Sequence, residues 1–175
     1  ISMVESILPE NAKGIDLGCG AGAFIYHTKE VKPNWNVIGC DLGDRVGFFK
    51  SDHGDVEVRH MNFLKDDLGE SVYDLVTAWE VIEHVSFADL QVMLSNIHRA
   101  LKPNGVFLFT TPDFDSPLCQ VFDFWGACPP YHPLVYSKSW MEYYFADHTQ
   151  FKILKMENES AFMEVYESWF GYWKE

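Results

Sequence analysis

The chain has 175 residues, 47% of them hydrophobic and 16% aromatic, enough for one domain with a real core and incompatible with a disordered chain. Its 13 Lys and Arg stand against 26 Asp and Glu, a formal net charge of -13 that leaves little material for the basic face a nucleic-acid binder needs. No apolar run is long enough to span a bilayer, no signal segment is visible, and Cys19, Cys40, Cys119 and Cys128 form neither a C-x-x-C motif nor a dense framework, so a cytoplasmic protein with a small-molecule partner is expected.

Residues 2–8 read as a short helix ahead of a turn over 9–14. A strand follows at 14–18, then a helix at 21–30 ended by Lys32-Pro33-Asn34, and a second strand at 36–41. A helix at 44–50 and a strand at 56–60 come next. Tyr73-Asp74-Leu75-Val76-Thr77-Ala78-Trp79 is nearly continuous in apolar residues, as a central strand covered on both faces should be. Ser86 and Asp89 form a capping box that opens a helix over 87–101, whose apolar stripe is Phe87, Leu90, Leu94, Ile97 and Leu101. Lys102-Pro103-Asn104-Gly105 stops that helix, and Val106-Phe107-Leu108-Phe109-Thr110 is the next buried strand. Strand and helix alternating in this way predict an α/β fold, a doubly wound parallel sheet with helices on both faces.

The pattern changes after Pro112. Residues 113–135 combine four prolines with Phe114, Phe122, Phe124, Trp125 and Tyr131 and fit no period, so they read as an insertion, either a lid over the site or a packing loop. A helix fits 138–147, a strand 151–156 and a last strand within 161–173. Trp169, Phe170, Tyr172 and Trp173 make an apolar tail suited to packing on the sheet or against a second copy in a homodimer. With no repeat or linker, the whole chain reads as a single domain.

The chemistry concentrates in Gly14-Ile15-Asp16-Leu17-Gly18-Cys19-Gly20-Ala21-Gly22, a buried strand ending in an acidic residue and opening into a glycine turn. Val37-Ile38-Gly39-Cys40-Asp41 then ends a second strand in a carboxylate placed to grip a ribose diol. The glycines follow G-x-G-x-G rather than the G-x-G-x-x-G of dinucleotide sites. Asp16, just before the turn, would repel a diphosphate and attract an ammonium. The segment resembles the cofactor motif of the class I S-adenosylmethionine-dependent methyltransferases, whose cofactor carries an ammonium, a ribose diol and a sulfonium but no phosphate.

A second motif, Glu80-Val81-Ile82-Glu83-His84-Val85, follows the central strand. With the glycine turn, Asp41 and Leu101-Lys102-Pro103-Asn104-Gly105-Val106, it resembles the ubiquinone-biosynthesis O-methyltransferase-like (methyltransferase type 23-like) branch over residues 12–112. That resemblance implies a Rossmann-like, seven-stranded, mostly parallel sheet. It places Asp16 at the methionyl amine, Gly18, Cys19, Gly20 and Gly22 in the turn around the cofactor, and Asp41 on the ribose hydroxyls. Leu42 would lie against the adenine, Asn62 and Phe63 at the adenine edge, and Trp79 and Glu80 beside the methionine chain. Asn62 departs from the aspartate common in relatives, which keeps an acceptor and removes a charge.

Similar E-x-x-E-H segments hold Mg²⁺ in certain quinol O-methyltransferases and, with a later histidine, in small-RNA 3′-terminal ribose methyltransferases. The resemblance thus implies Glu80, Glu83, His84 and His132 as ligands of Mg²⁺ or Mn²⁺, lowering the pKa of an acceptor hydroxyl. Without a metal, His84 is the general base, with Glu83 beside it. The function expected is methyl transfer to an oxygen of a small molecule. The alternatives are an RNA 3′-terminal ribose methyltransferase, a nicotinamide-dependent oxidoreductase and a non-catalytic cofactor-binding module.

Overall fold

A computed structural model of the chain describes residues 1, 4–43, 50–51, 54–116, 132–160 and 167–169. Its elements are β1 (Lys13–Leu17), α1 (Ala23–Val31), β2 (Asn36–Asp41), β3 (Lys50–Ser51), β4 (Gly54–Asp55), β5 (Val58–His60), β6 (Tyr73–Trp79), α2 (Phe87–Ala100), β7 (Leu101–Thr110), α3 (Lys138–His148), β8 (Asn158–Ser160) and β9 (Glu167–Trp169). Five strands form one sheet in the order β5-β2-β1-β6-β7, every neighbouring pair parallel. The chain steps outward from β1 to β2 and β5, then returns to the other side of β1 at β6. Strand order therefore reverses between β1 and β6, and the carboxyl ends of those strands border a crevice suited to a ligand.

Alternation along each strand feeds two cores. Phe107 and Phe109 of β7 and Val76 and Ala78 of β6 pack with Leu90, Met93 and Ile97 of α2 and Phe145 of α3. Val106 and Leu108 of β7 and Leu75 of β6 pack on the other face with Val4, Leu8, Ile25 of α1 and Trp35. Both faces are covered, which is why the central strands read as continuous apolar runs. Ser86 caps α2 as expected, its Oγ accepting from the Asp89 N–H at 3.2 Å, while the Asp89 carboxylate reaches back to the Ser86 hydroxyl, which donates to Oδ2 at 2.7 Å. Ser86→Ala should lower stability by about 1 kcal/mol, read as a shift of the urea unfolding midpoint at constant slope.

The structure departs from several sequence expectations. The sheet of the described residues has five strands rather than seven, and β8 and β9 form a separate antiparallel pair. No strand occupies 151–156, because Thr149 Oγ1 accepts the Phe151 N–H at 3.2 Å while donating to the Phe145 carbonyl at 2.8 Å, a local turn that drops Phe151 into the core. The 102–105 segment belongs to β7 instead of preceding it. Tyr73 faces Leu101 and Leu75 faces Val106, so the extra residues form a bulge around Asn104, whose φ is 61°. Residues 4–8 form hydrogen-bonded turns that bury Val4 and Leu8. Phe87, on the predicted stripe, is 41% exposed, while Met93 is fully buried. The predicted helix at 44–50 lies outside the described residues except for Lys50, which begins β3, as do 117–131 of the insertion and most of the aromatic tail. No helix among the described residues is long and apolar enough to cross a membrane.

Candidate functional site

The turn after β1 is left-handed at Gly18 (φ 65°), Gly20 (φ 53°) and Gly22 (φ 87°). A Cβ at Gly18 would lie 2.8 Å from Val81 Cγ2, whereas one at Gly20 would meet nothing within 4 Å. Gly18 thus permits close packing on the motif after β6, and the turn's outer side at Gly20 is open to an approaching ligand. Two contacts bind this turn to β2. The Cys19 N–H donates to the Cys40 carbonyl at 3.1 Å, and the Gly20 N–H donates to Asp41 Oδ2 at 2.8 Å. Asp41 Oδ1 accepts from the Gly43 N–H at 2.6 Å, so backbone donors on both sides orient the carboxylate, as ribose recognition requires. Leu42 beside it is 57% exposed, available to stack on a base.

Asp16 is 1% exposed. Its register partners are Gly39 on β2 and Thr77 on β6, and Thr77 Oγ1 donates to Oδ1 at 2.6 Å. Burial above all pushes its carboxyl up to about 7; the Thr77 hydrogen bond opposes the rise and the Asp41 charge adds to it. Burial likewise pushes both Cys19 and Cys40 up to about 12, which makes them inert packing thiols. Asn62 is turned to local use: its Oδ1 accepts from the Leu64 N–H at 3.0 Å, and its own N–H donates to Asp66 Oδ2 at 2.7 Å. Phe63 packs against the core, with its carbonyl accepting from Asn96 Nδ2 at 3.0 Å.

The second motif leaves β6 at Trp79, whose ring meets Phe24 of α1 at 4.9 Å between centroids. Glu80 adopts φ 53°, uncommon for a residue with a side chain, with its N–H donating to the Thr110 carbonyl at 3.1 Å. A 3₁₀ turn over Ile82–His84 then places Glu83 and His84 in different environments. Glu83 is fully buried, and its Oε2 accepts from Thr111 Oγ1 at 3.0 Å. Burial first and the Glu80 carboxylate second push Glu83 up to about 8. His84 is exposed and meets His132 ring to ring at 4.6 Å and 71°.

Ligating atoms of Glu83, His84 and His132 lie within 4.8 Å of one another. His132 Nδ1 is buried and has no hydrogen-bond partner among the described residues, and burial with His84 alongside depresses its pKa. His132 reaches this place because the chain returns to the tip of β7. Asp113 bridges to Tyr136, the Phe114 N–H donates to the Tyr136 carbonyl at 3.0 Å, and the Lys138 N–H donates to Asp113 Oδ1 at 3.1 Å. Glu80 stands outside the trio of close donors and acts on it through Glu83. Beyond the trio, Phe87, Phe114, Leu134, Tyr136 and Trp140 line a groove of about 450 Å³. Tyr136, Trp140 and Tyr144 stack in a ladder at 4.4 and 4.7 Å.

Sequence reasoning passes over Gly39, Thr77, Thr111 and Asp113. A glycine inside a strand is the one signal available for Gly39. The two threonines and Asp113 act through partners from other elements and carry none.

A doubly wound parallel sheet with a glycine turn and a bracketed strand-end carboxylate defines a nucleoside-cofactor-binding α/β domain. The family model described as "Methyltransferase domain" matches residues 3–155, and the chain belongs to that family, the S-adenosylmethionine-dependent methyltransferases. The chain is 33% identical over 130 residues to the ubiquinone biosynthesis O-methyltransferase of Hydrogenovibrio crunogenus, covering 70% of this chain and 52% of that protein. It is 32% identical over 100 residues to a probable S-adenosylmethionine-dependent methyltransferase of Mycolicibacterium smegmatis, covering 57% and 37%. It is 28% identical over 104 residues to the tRNA N(3)-methylcytidine methyltransferase trm141 of Schizosaccharomyces pombe, covering 54% and 42%. The chain thus spans about a third to a half of these relatives' length. Human N-acetylserotonin methyltransferase, solved with S-adenosylmethionine, shares the fold with a TM-score of 0.72 at 17% identity, over 97% of this chain and 49% of that one.

Proposed function

We propose that the domain transfers a methyl group from S-adenosylmethionine to an oxygen of a small-molecule acceptor, and that Glu83, His84 and His132 hold a divalent cation beside that acceptor. The observation that carries the reading is the convergence of these three donors from two distant chain segments, with His132 Nδ1 buried and without a hydrogen-bond partner among the described residues. The chain's residues also fit the cofactor. Asp16 offers the methionyl ammonium a buried carboxylate, the backbone at Gly20 is open to close approach, and Asp41 presents an oriented carboxylate to the ribose.

The cofactor supplies an activated methyl on a cationic sulfonium, so the domain's own task is to align the acceptor oxygen with it and exclude water. Trp79 and Glu80 border the methionine chain, and Leu42, Asn62 and Phe63 the adenine. One carboxylate with two imidazoles suits Mn²⁺ better than Mg²⁺, with Glu80 available as a further oxygen ligand. Such a cation lowers the pKa of a coordinated hydroxyl. The aromatic groove, to which Phe114 and Leu134 of the 113–135 insertion contribute, serves as the acceptor wall. The net charge of -13 favours a small acceptor over RNA, despite the tRNA methyltransferase among the relatives.

The test is a calorimetric titration of Mn²⁺ and Mg²⁺ into protein saturated with S-adenosylhomocysteine. Stoichiometric Mn²⁺ binding is expected, weakened at least about tenfold by Glu83→Gln and by His132→Ala, as loss of a ligand implies. That result directs the acceptor search to catechols and vicinal diols. Absence of binding by the parent protein removes the cation and leaves His84 as the base.

A further inference from the structure

Asp16 lies between β2 and β6 with one oxygen served by the Thr77 hydroxyl; its Oδ2 is equally buried and has no hydrogen-bond partner among the described residues. The charged group acting on it is Asp41 from β2; Cys40 of β2 and Cys19 of the glycine turn lie near enough to feel Asp16 but stay neutral thiols, and β6 contributes the neutral Thr77. None of these is a cation, and Asp41 adds a like charge. A carboxylate this deeply buried, with a single hydroxyl donor, is costly to leave ionised. It holds a proton or it holds a cation.

We propose that cofactor binding is coupled to deprotonation of Asp16, the methionyl ammonium taking the place of the proton, and that Thr77 is the positioning residue that directs Oδ2 to that ammonium. The inference rests on the cofactor reading above and adds a proton balance to it. In the free protein below neutral pH the Asp16 carboxyl keeps its O–H, with Thr77 holding the other oxygen. On binding, that O–H bond breaks, the proton leaves to the buffer, and the carboxylate pairs with the incoming ammonium. The direction in pH follows. Burial holds Asp16 near 7, so below neutrality the cofactor competes with a proton, and affinity falls by a factor that approaches about ten per pH unit only well below that value. Above about pH 8 the carboxylate is already ionised and the dependence levels off.

Calorimetric titration of S-adenosylhomocysteine at pH 6, 7 and 8, in two buffers of different ionisation enthalpy, tests this. Binding about tenfold tighter at pH 8 than at pH 6, with close to one proton released at pH 6, is expected. 5′-Methylthioadenosine, which keeps the nucleoside and lacks the amino-acid group, should bind without that slope. Thr77→Val should move the midpoint upward by removing the donor, Thr77→Ser should restore it, and Asp16→Asn should flatten the profile. Equal affinity for S-adenosylhomocysteine at pH 6 and pH 8 with no proton released would overturn the coupling and leave the cofactor reading standing. Failure of both ligands to bind at every pH would overturn the cofactor reading, and the coupling with it.

Discussion

Asp41→Ala is expected to weaken S-adenosylhomocysteine binding by about a hundred- to a thousandfold, or roughly 3–4 kcal/mol. The carboxylate does two things at once. It accepts from the Gly20 N–H at 2.8 Å and the Gly43 N–H at 2.6 Å, which holds the glycine turn against the tip of β2. On the proposed cofactor reading, its remaining lone pairs accept from the ribose hydroxyls. Truncation leaves two backbone donors without an acceptor and removes both charge-assisted contacts to the diol. Asp41→Asn should be nearly as damaging, because the amide can turn only one acceptor toward the two N–H groups and must aim a donor at the other. Calorimetry with S-adenosylhomocysteine and with its 2′-deoxy analogue separates the two effects: the wild type should discriminate between them, and Asp41→Ala should not. A loss of less than threefold in Asp41→Ala would contradict the ribose assignment.

Gly39→Ala should weaken the same binding by about ten- to a hundredfold, through the turn and not through any contact with ligand. A Cβ at this position would stand 2.4 Å from Cys19 Sγ, 2.9 Å from Cys19 Cβ and 2.5 Å from Ile25 Cδ1. The isoleucine methyl can swing aside, but Cys19 Cβ is fixed to the backbone of the turn, so the turn itself must lift from β2. Overpacking of this kind costs about 1–3 kcal/mol and displaces the Gly20 N–H from Asp41. Cys19→Gly added to Gly39→Ala should recover part of the affinity, a non-additivity readable as a double-mutant cycle. Full additivity of the two changes would mean that the clash is relieved elsewhere.

Much of this molecule is legible from local chemistry. The continuous apolar runs at 73–79 and 106–110 identify strands covered on both faces, and the Ser86–Asp89 box identifies the start of α2. The glycine turn and Asp41 are readable because their chemistry is local too: each needs a particular residue type at a particular point of one strand–turn–helix unit. The family resemblance implies Glu80, Glu83, His84 and His132 as one set; Glu83, His84 and His132 lie together and Glu80 outside them, and spacing alone does not imply this, since the Asp113–Tyr136 bridge brings the His132 segment back. At 102–105 a nonlocal partner decides. The Lys102–Gly105 stop becomes part of β7 because pairing with β6 can absorb the extra residues as a bulge.

By itself, then, the amino-acid sequence determined the alternation of elements, the doubly wound class and the glycine turn, since periodicity, caps and glycines act within a few residues of one another. Tertiary structure alone decided that Thr77 meets Asp16, that Thr111 meets Glu83, that Gly39 lies beneath Cys19, and that Glu83 is buried while His84 is exposed. Those relations depend on strand register and on which side of β1 the chain returns. Register is set by the summed packing of two cores rather than by any single residue's preference.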